Sequence, residues 1–284
     1  MTNISMGKLL NKNFLVRTIS GAIYVSLILG ALLVQTQWLL FSLFLFCTVA
    51  GIIEYNLLSK VNRDRTFTTV LDCCAGVWLL YASMQYGSGT FGTEIFTPYA
   101  AYLLYVLARS VFHEPNNLYR NVGNSLISQL LIALPFSLGG YMTVKNGEFN
   151  GTFLLGLYLL TWINDTGAYI VGVSFGKHKM IPSISPKKSY EGLLGGIVFT
   201  VVLAAFLPSF LETYRVQSPW FMSLFGVAIA SMATIGDLFE SVLKRNAGVK
   251  DSGSIIPGHG GILDRSDSLL FVIPTAFVLM EIFW

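Results

Sequence analysis

The sequence predicts an all-α polytopic integral membrane protein, a single domain of about nine transmembrane helices, on three observations. Hydrophobic residues make up 54% of the 284 positions and charged residues 12%, with a mean hydropathy of +0.63. That is too apolar for a soluble domain of this size. Apolar windows of about 20 residues, the length that spans ~30 Å of hydrocarbon, recur from one end of the chain to the other. Lys and Arg fall almost wholly on one side of the topology those windows imply.

The helices are expected at 18–35, 38–55, 69–86, 95–112, 124–142, 152–174, 192–211, 219–240 and 267–284. The first follows Lys8, Lys12 and Arg17, lacks a small-residue cleavage site and leads straight into a second apolar run. It therefore reads as a retained helix rather than a removed signal peptide. Pro98 and a Tyr-rich start leave the fourth helix open to being shorter or interfacial. Cys47, Cys73 and Cys74 lie inside apolar runs without metal-ligand spacing and read as packing residues.

With the N-terminus inside, sixteen of the eighteen basic residues face the cytoplasm and only Lys145 and Arg215 face outward. Cytoplasmic loops carry such an excess, so this split supports both the helix count and the orientation. It puts every charged motif at the cytoplasmic ends of helices, in what is expected to be a bacterial inner membrane. Residues 1–150 supply N-terminal helices to which the sequence assigns no role; residues 151–284 carry the motifs.

Charge concentrates between Gly236 and Ser268, which hold five of the fifteen acidic residues (Asp237, Glu240, Asp251, Asp264, Asp267) and one of the three histidines. Asp237, Glu240, Ser241 and Lys244 stand at i, i+3, i+4 and i+7, on one helix face. A salt-bridge ladder would explain that face, except that Asp237 directly follows an apolar span. Asp264 and Asp267 lie one turn apart at the mouth of the last helix, where N-capping is the plain alternative. Together with Asp237 they would make a three-carboxylate site suited to Mg²⁺, a hard ion held by oxygen ligands and phosphates. His259, flanked by Gly258, Gly260 and Gly261, has no packing purpose evident in the sequence, and the glycines let a ligand approach backbone closely.

A second charged stretch runs from Trp162 to Gly192. Asp165 lies within an apolar helix, where an ionised side chain costs about 2.5–3.5 kcal/mol, and shares a face with Tyr169 and Gly172. It reads as a wall of a polar cavity, or as a buried group paired with a neighbouring helix. Topology alone accounts for a basic loop after it, but not for Ser185-Pro-Lys187-Lys188-Ser189 followed by Glu191-Gly192 at a helix start. Ser189 is placed to cap that helix, whose N-terminal amides favour anions, with Lys187 and Lys188 beside it. These residues point to an integral membrane enzyme acting on a phosphorylated lipid and a nucleotide.

The run Ser241-Val-Leu-Lys244-Arg245, then Lys250-Asp251-Ser-Gly, then Pro257-Gly-His259-Gly-Gly-Ile-Leu-Asp264-Arg265-Ser266-Asp267 resembles the signature of the phosphatidate cytidylyltransferases. Trp162…Asp165…Tyr169…Gly172 and Ser185-Pro-Lys-Lys-Ser189…Glu191-Gly192 resemble that family's second block. The resemblance covers about the C-terminal 120 residues. One departure is Ser266, where the family has an apolar residue or Thr; the expected effect is on packing.

The resemblance implies transfer of the cytidylyl group of CTP to phosphatidate, a divalent metal, a monovalent cation such as K⁺ in some members, and a homodimer. On this reading Asp237 and Asp264 ligate Mg²⁺, while Lys244, Arg245, Lys250, Asp251, His259, Arg265 and Asp267 are catalytic. Asp165, Tyr169, Ser185, Lys187, Lys188, Ser189, Glu191, Ser241, Gly258, Gly260 and Gly261 bind substrate. The partners are CTP, phosphatidate, the bilayer and a second copy of the chain, and no nucleic acid. Two other readings are a CTP-dependent kinase or transferase for another membrane lipid, and an ion-coupled transporter using Asp72 and Asp165.

Overall fold

The computed structural model describes residues 3–59, 65–113, 118–145, 147–215 and 217–283. Among the basic residues expected at cytoplasmic helix ends, Lys60 and Arg63 and the side chains of Lys8, Lys12 and Arg65 lie outside what is described. Helices α1 (Asn3–Leu33), α2 (Gln37–Ser59), α3 (Arg65–Gly87) and α4 (Thr97–His113) come first. Then follow α5 (Leu118–Ser128), α6 (Leu134–Val144), α7 (Thr152–Phe175), α8 (Tyr190–Phe210), α9 (Pro219–Asn246), the single turn α10 (Leu263–Ser266) and α11 (Leu269–Phe283).

The helical membrane architecture expected from composition is present, with a coarser count than the nine anticipated. Among the described residues seven helices are long and apolar enough to cross a membrane. Helix α7 has the length but, with Asn164 and Asp165 at its middle, not the hydropathy, and α11 has only 15 residues. Helices α5 and α6 join through a π-helical segment, Gln129–Ala133, into one run, Leu118–Val144. Pro135 lies two residues beyond the end of that segment and cannot donate to the backbone ladder, which is a common origin of such local unwinding.

One part of the chain departs from an all-helical reading. Lys179–Ile181 (β1) and Ser185–Ser189 (β2) pair antiparallel, with Lys179 opposite Ser189 and Ile181 opposite Ser185. Pro182 and Pro186 exclude a continuing helix here, and the turn closes with Ile184 N–H donating to the Ile181 carbonyl at 3.1 Å. The hairpin ends where Ser189 Oγ accepts the Gly192 N–H at 3.2 Å, so Ser189 caps α8 as its position suggested.

Small residues let α7 and α8 lie against each other. A Cβ on Gly167 would meet Phe199 at 2.8 Å, and one on Gly195 would meet Val171 at 2.5 Å. Such close approach is how helices associate where lipid is as apolar as the side chains. The core runs the length of the bundle: Phe44 of α2, Phe136 of α6, Phe225 of α9 and Ile273 of α11 are all buried. Packing of α11 against α6 and α9 thereby fixes α10, and with it Asp264 and Asp267, beside the end of α9.

Candidate active site

The middle of α7, the charged C-terminal part of α9, α10, the hairpin and the loop before α10 enclose a cavity of about 750 Å³. Its walls include Asp165 of α7, Lys187 of β2, Asp237, Ser241, Lys244 and Arg245 of α9, Lys250, Asp251 and His259 of the loop, and Asp264, Arg265 and Asp267. Helix α1 also contributes, through Ser20, Gly21 and Tyr24. A smaller adjoining cavity of about 260 Å³ holds Tyr169, Lys188 and Ser189 and shares Asp165, Lys187 and Asp237 with the first. Most of the site residues named from the sequence thus meet in one place.

The carboxylates meet differently from the expected pairing. Asp237, Glu240 and Asp267 each offer an oxygen, and these atoms lie within 4.8 Å of one another. Gly236 makes this possible, since a Cβ there would meet the Asp267 carbonyl at 2.5 Å. Glu240 is 4% exposed, and its Oε1 has no hydrogen-bond partner among the described residues. Burial pushes the pKa of Asp267 up, and the neighbouring Asp237 adds to the shift. Clustered, under-satisfied oxygens of this kind suit a hard divalent cation.

Asp264, expected as a metal ligand, is otherwise engaged. Its Oδ1 accepts from Lys244 Nζ at 2.6 Å, and its Oδ2 accepts Ser252 N–H at 2.8 Å, Ser252 Oγ–H at 2.9 Å and Gly261 N–H at 2.9 Å. Burial alone would raise its pKa, but these donors hold it at about 2. Asp264 is the knot of the loop, and the third carboxylate facing Asp237 and Asp267 is Glu240. The sequence signal for Glu240 was its place on the same helix face as Asp237.

The cations divide into two groups. Lys188 Nζ lies 2.6 Å from Asp237 Oδ2, and Lys244 joins Glu240 to Asp264. Arg245 braces the hairpin and the loop by donating to the carbonyls of Ile184 (3.3 Å) and Val249 (3.1 Å). Lys187, Lys250 and Arg265 line the cavity with no carboxylate ion pair among the described residues. Glu191 is drawn away from the cavity: its carboxylate takes His178 Nδ1 at 2.6 Å and the His178 N–H. Ser241 Oγ donates to Asp237 Oδ1 at 3.4 Å, and Ser185 sits on the cavity wall.

The loop bearing His259 proves to be packed on the N-terminal half. His259 Nδ1 lies 2.8 Å from Ser20 Oγ, which also contacts the Pro257 carbonyl at 2.9 Å, so the histidine has the structural partner the sequence did not reveal. Burial, with Arg265 and Arg17 nearby, lowers its pKa. Gly258 and Gly260 have φ of +75° and +84°, which only glycine adopts without strain. The loop's amides are partly committed: His259 N–H donates to Ile256 and Gly261 N–H to Asp264. Ser266 is buried and donates to the Ile262 carbonyl at 2.9 Å, a packing role like the one expected.

The sequence assigned no role to the first 150 residues, yet α2 supplies Glu54, 2% exposed. Its Oε1 accepts Ile262 N–H at 2.9 Å and its Oε2 accepts Leu263 N–H at 3.0 Å, with Ser252 Oγ, whose single hydrogen is shared with Asp264, also 3.0 Å from Oε2. It thereby caps α10 and anchors the same Ser252 that Asp264 holds. A single Glu in an apolar helix gave no hint of which distant backbone it would meet.

Residues 15–283 match the cytidylyltransferase family. The chain belongs to that family. It is similar to a phosphatidate cytidylyltransferase of Staphylococcus haemolyticus, 30% identical over 268 residues, covering 93% of this chain and 98% of the relative. The phosphatidate cytidylyltransferase of Bacillus subtilis is 37% identical over 187 residues, 64% of this chain and 66% of that one. That of Staphylococcus epidermidis is 44% identical over 128 residues, so the match spans only about half of its length, 48%, and 45% of this chain. Membership in the cytidylyltransferase family agrees with the resemblance drawn from the C-terminal motifs.

Proposed function

We propose that this protein transfers the cytidylyl group of CTP to phosphatidate, forming CDP-diacylglycerol and pyrophosphate in phospholipid biosynthesis. The observation that carries this reading is the cavity lined by Asp237 and Asp267, against whose carboxylates the buried Glu240 packs, beside Lys187, Lys250 and Arg265. It sits in a chain whose relatives over nearly full length are phosphatidate cytidylyltransferases. A phosphatidate oxygen attacks the α-phosphorus of CTP, the new P–O bond forms, and the bond to the β-phosphate breaks with its electron pair leaving on pyrophosphate. The monoester already carries about −1.5 to −2 charge at pH 7, so no general base is required. What the protein supplies is alignment and charge neutralisation.

Asp237, Glu240 and Asp267 would hold Mg²⁺, which when bound neutralises charge on the nucleotide phosphates and the departing pyrophosphate. Arg265 suits a bidentate phosphate contact, and Lys187 and Lys250 act as mobile point charges. Lys188 and Lys244 hold Asp237 and Glu240 in place. Residues 151–284 carry this chemistry within one domain, and the N-terminal helices brace it. We further propose a monovalent cation such as K⁺ as a second ion, a homodimer, and a cavity open to the cytoplasm of a bacterial inner membrane. The orientation is supported by the sixteen-to-two split of basic residues.

The test is purified protein in detergent with phosphatidate, Mg²⁺ and radiolabelled CTP. Label in the lipid phase as CDP-diacylglycerol, abolished by chelation, is the expected result. Intact CTP with folded protein and a full range of lipid phosphates would overturn the reading.

A further inference from the structure

Two apolar grooves of similar size open on the outside of the helices. One, about 410 Å³, lies between α1, α2 and the loop before α10, with Ile23 and Leu27 on one wall and Leu43 and Phe46 on the other. The second, about 450 Å³, lies between α2 and α3, around Cys74 and Trp78. Facing apolar side chains to lipid distinguishes neither of them.

What separates them is their connection to the charged cavity. Ser20, Tyr24 and Ile256 line both the α1–α2 groove and the 750 Å³ cavity, whereas the α2–α3 groove shares no residue with it. Ile256 and Pro257 continue from the α1–α2 groove into a polar recess of about 430 Å³ that holds Arg17, His259 and Arg265. Tyr24 marks the boundary: it lines the groove, and its hydroxyl lies 3.2 Å from the Arg265 carbonyl. A continuous apolar-to-cationic path of this kind fits an amphiphile with a hydrocarbon chain and a phosphate head.

We propose that the α1–α2 groove seats one acyl chain of the diacyl phosphate substrate, delivering its phosphate past Ser20 and Tyr24 to Arg17, His259 and Arg265. This rests on the reading that a phosphorylated diacyl lipid is the substrate. Because bilayer lipid is as apolar as the groove, seating the chain adds little affinity; it fixes where the phosphate stands. CTP then occupies the opposite side, toward Lys187 and the smaller cavity between α7 and the hairpin.

The experiment uses the full chain in nanodiscs and compares kcat/KM for dioleoyl and dihexanoyl phosphatidate. Ile23→Trp and Leu43→Trp fill the groove, and Cys74→Trp fills the other one. The fillers of the first groove are expected to lower the dioleoyl-to-dihexanoyl ratio roughly tenfold, the scale of steric overpacking, while Cys74→Trp leaves it unchanged. An unchanged ratio in both fillers, or an equal fall in Cys74→Trp, overturns the proposal.

A second measurement needs no turnover: a phosphatidate with a diazirine in its acyl chain is photolysed and the labelled peptides are mapped. Label on α1 and α2 at this groove, displaced by dioleoyl phosphatidate and not by dioleoyl phosphatidylcholine, supports the seat. Equal label in the α2–α3 groove, or equal displacement by both lipids, overturns it. If label appears as expected but neither phosphatidate reacts, the groove stands and the proposed reaction falls.

Discussion

Two acidic sites in this bundle, one around Asp72 and one around Glu240, have surroundings opposite in kind. In the N-terminal half Asp72, 1% exposed, accepts Tyr102 Oη–H at 2.7 Å and Asn56 Nδ2–H at 3.2 Å, with Ser125 Oγ–H at 3.4 Å. Donors from α2, α4 and α5 thus close around one carboxylate, while Gln129 of the π-helical segment donates to the Asp72 backbone carbonyl at 2.9 Å and Asn124 donates to Asn56 at 2.6 Å. In the C-terminal half Asp237, Glu240 and Asp267 face one another, and the buried Glu240 keeps an oxygen with no hydrogen-bond partner among the described residues. A carboxylate ringed by donors has its hydrogen bonds complete; the gathered acids keep an oxygen free for another partner. The same contrast removes the reason to read Asp72 as a transport site.

The largest effect that would break the comparison is expected at the site around Glu240. Asp267→Asn should reduce CTP-to-lipid transfer by about 10²–10³-fold, the scale of removing one charge-stabilising group, with the thermal midpoint in detergent little changed. Retention of wild-type rates would show that the cluster holds no functional metal.

Next in size is Glu54→Ala, which leaves the buried Ile262 and Leu263 amides without their acceptor. The expected cost is about 2–4 kcal/mol of stability, read as a lowered midpoint in thermal denaturation, together with loss of activity as the loop loosens. A midpoint equal to wild type would show that Glu54 does not anchor α10.

The smallest effect on catalysis is expected at the site around Asp72. Asp72→Asn keeps the shape but sets one amide donor against another, costing about 1–2 kcal/mol. Activity per folded molecule should stay within about twofold of wild type, a residual difference worth under ~0.5 kcal/mol. A large loss with folding intact would erase the distinction between the two sites.

Much of the site was legible because its chemistry is local in sequence. Asp237, Ser241 and Lys244 lie on one helical face, the Ser-Pro-Lys-Lys-Ser run caps α8, and the glycines around His259 occupy turns with positive φ. What could not be read was which carboxylate goes where. Asp264 turns to the N–H groups of Ser252, twelve residues before it, and Gly261, three before it, and Glu240, to which the sequence assigned no role, stands with Asp237 and Asp267 instead. Glu54 and Ser20 were invisible because their partners lie more than half the chain away. The hairpin within an otherwise helical fold follows from two prolines spaced four apart, whose basic surroundings read equally well as an ordinary loop.

The tie between α2 and α10 has a consequence for how the protein is made. Glu54 enters the membrane with the second helix, but the groups that satisfy it lie 198 to 209 residues further along. Through most of synthesis it is an acid with no partner at the edge of an apolar segment, held there by its neighbours alone. These hydrogen bonds can form only once residues 252–263 have been made, so this wall of the cavity is completed late in synthesis. A chain interrupted before that point carries the full set of N-terminal helices and no site.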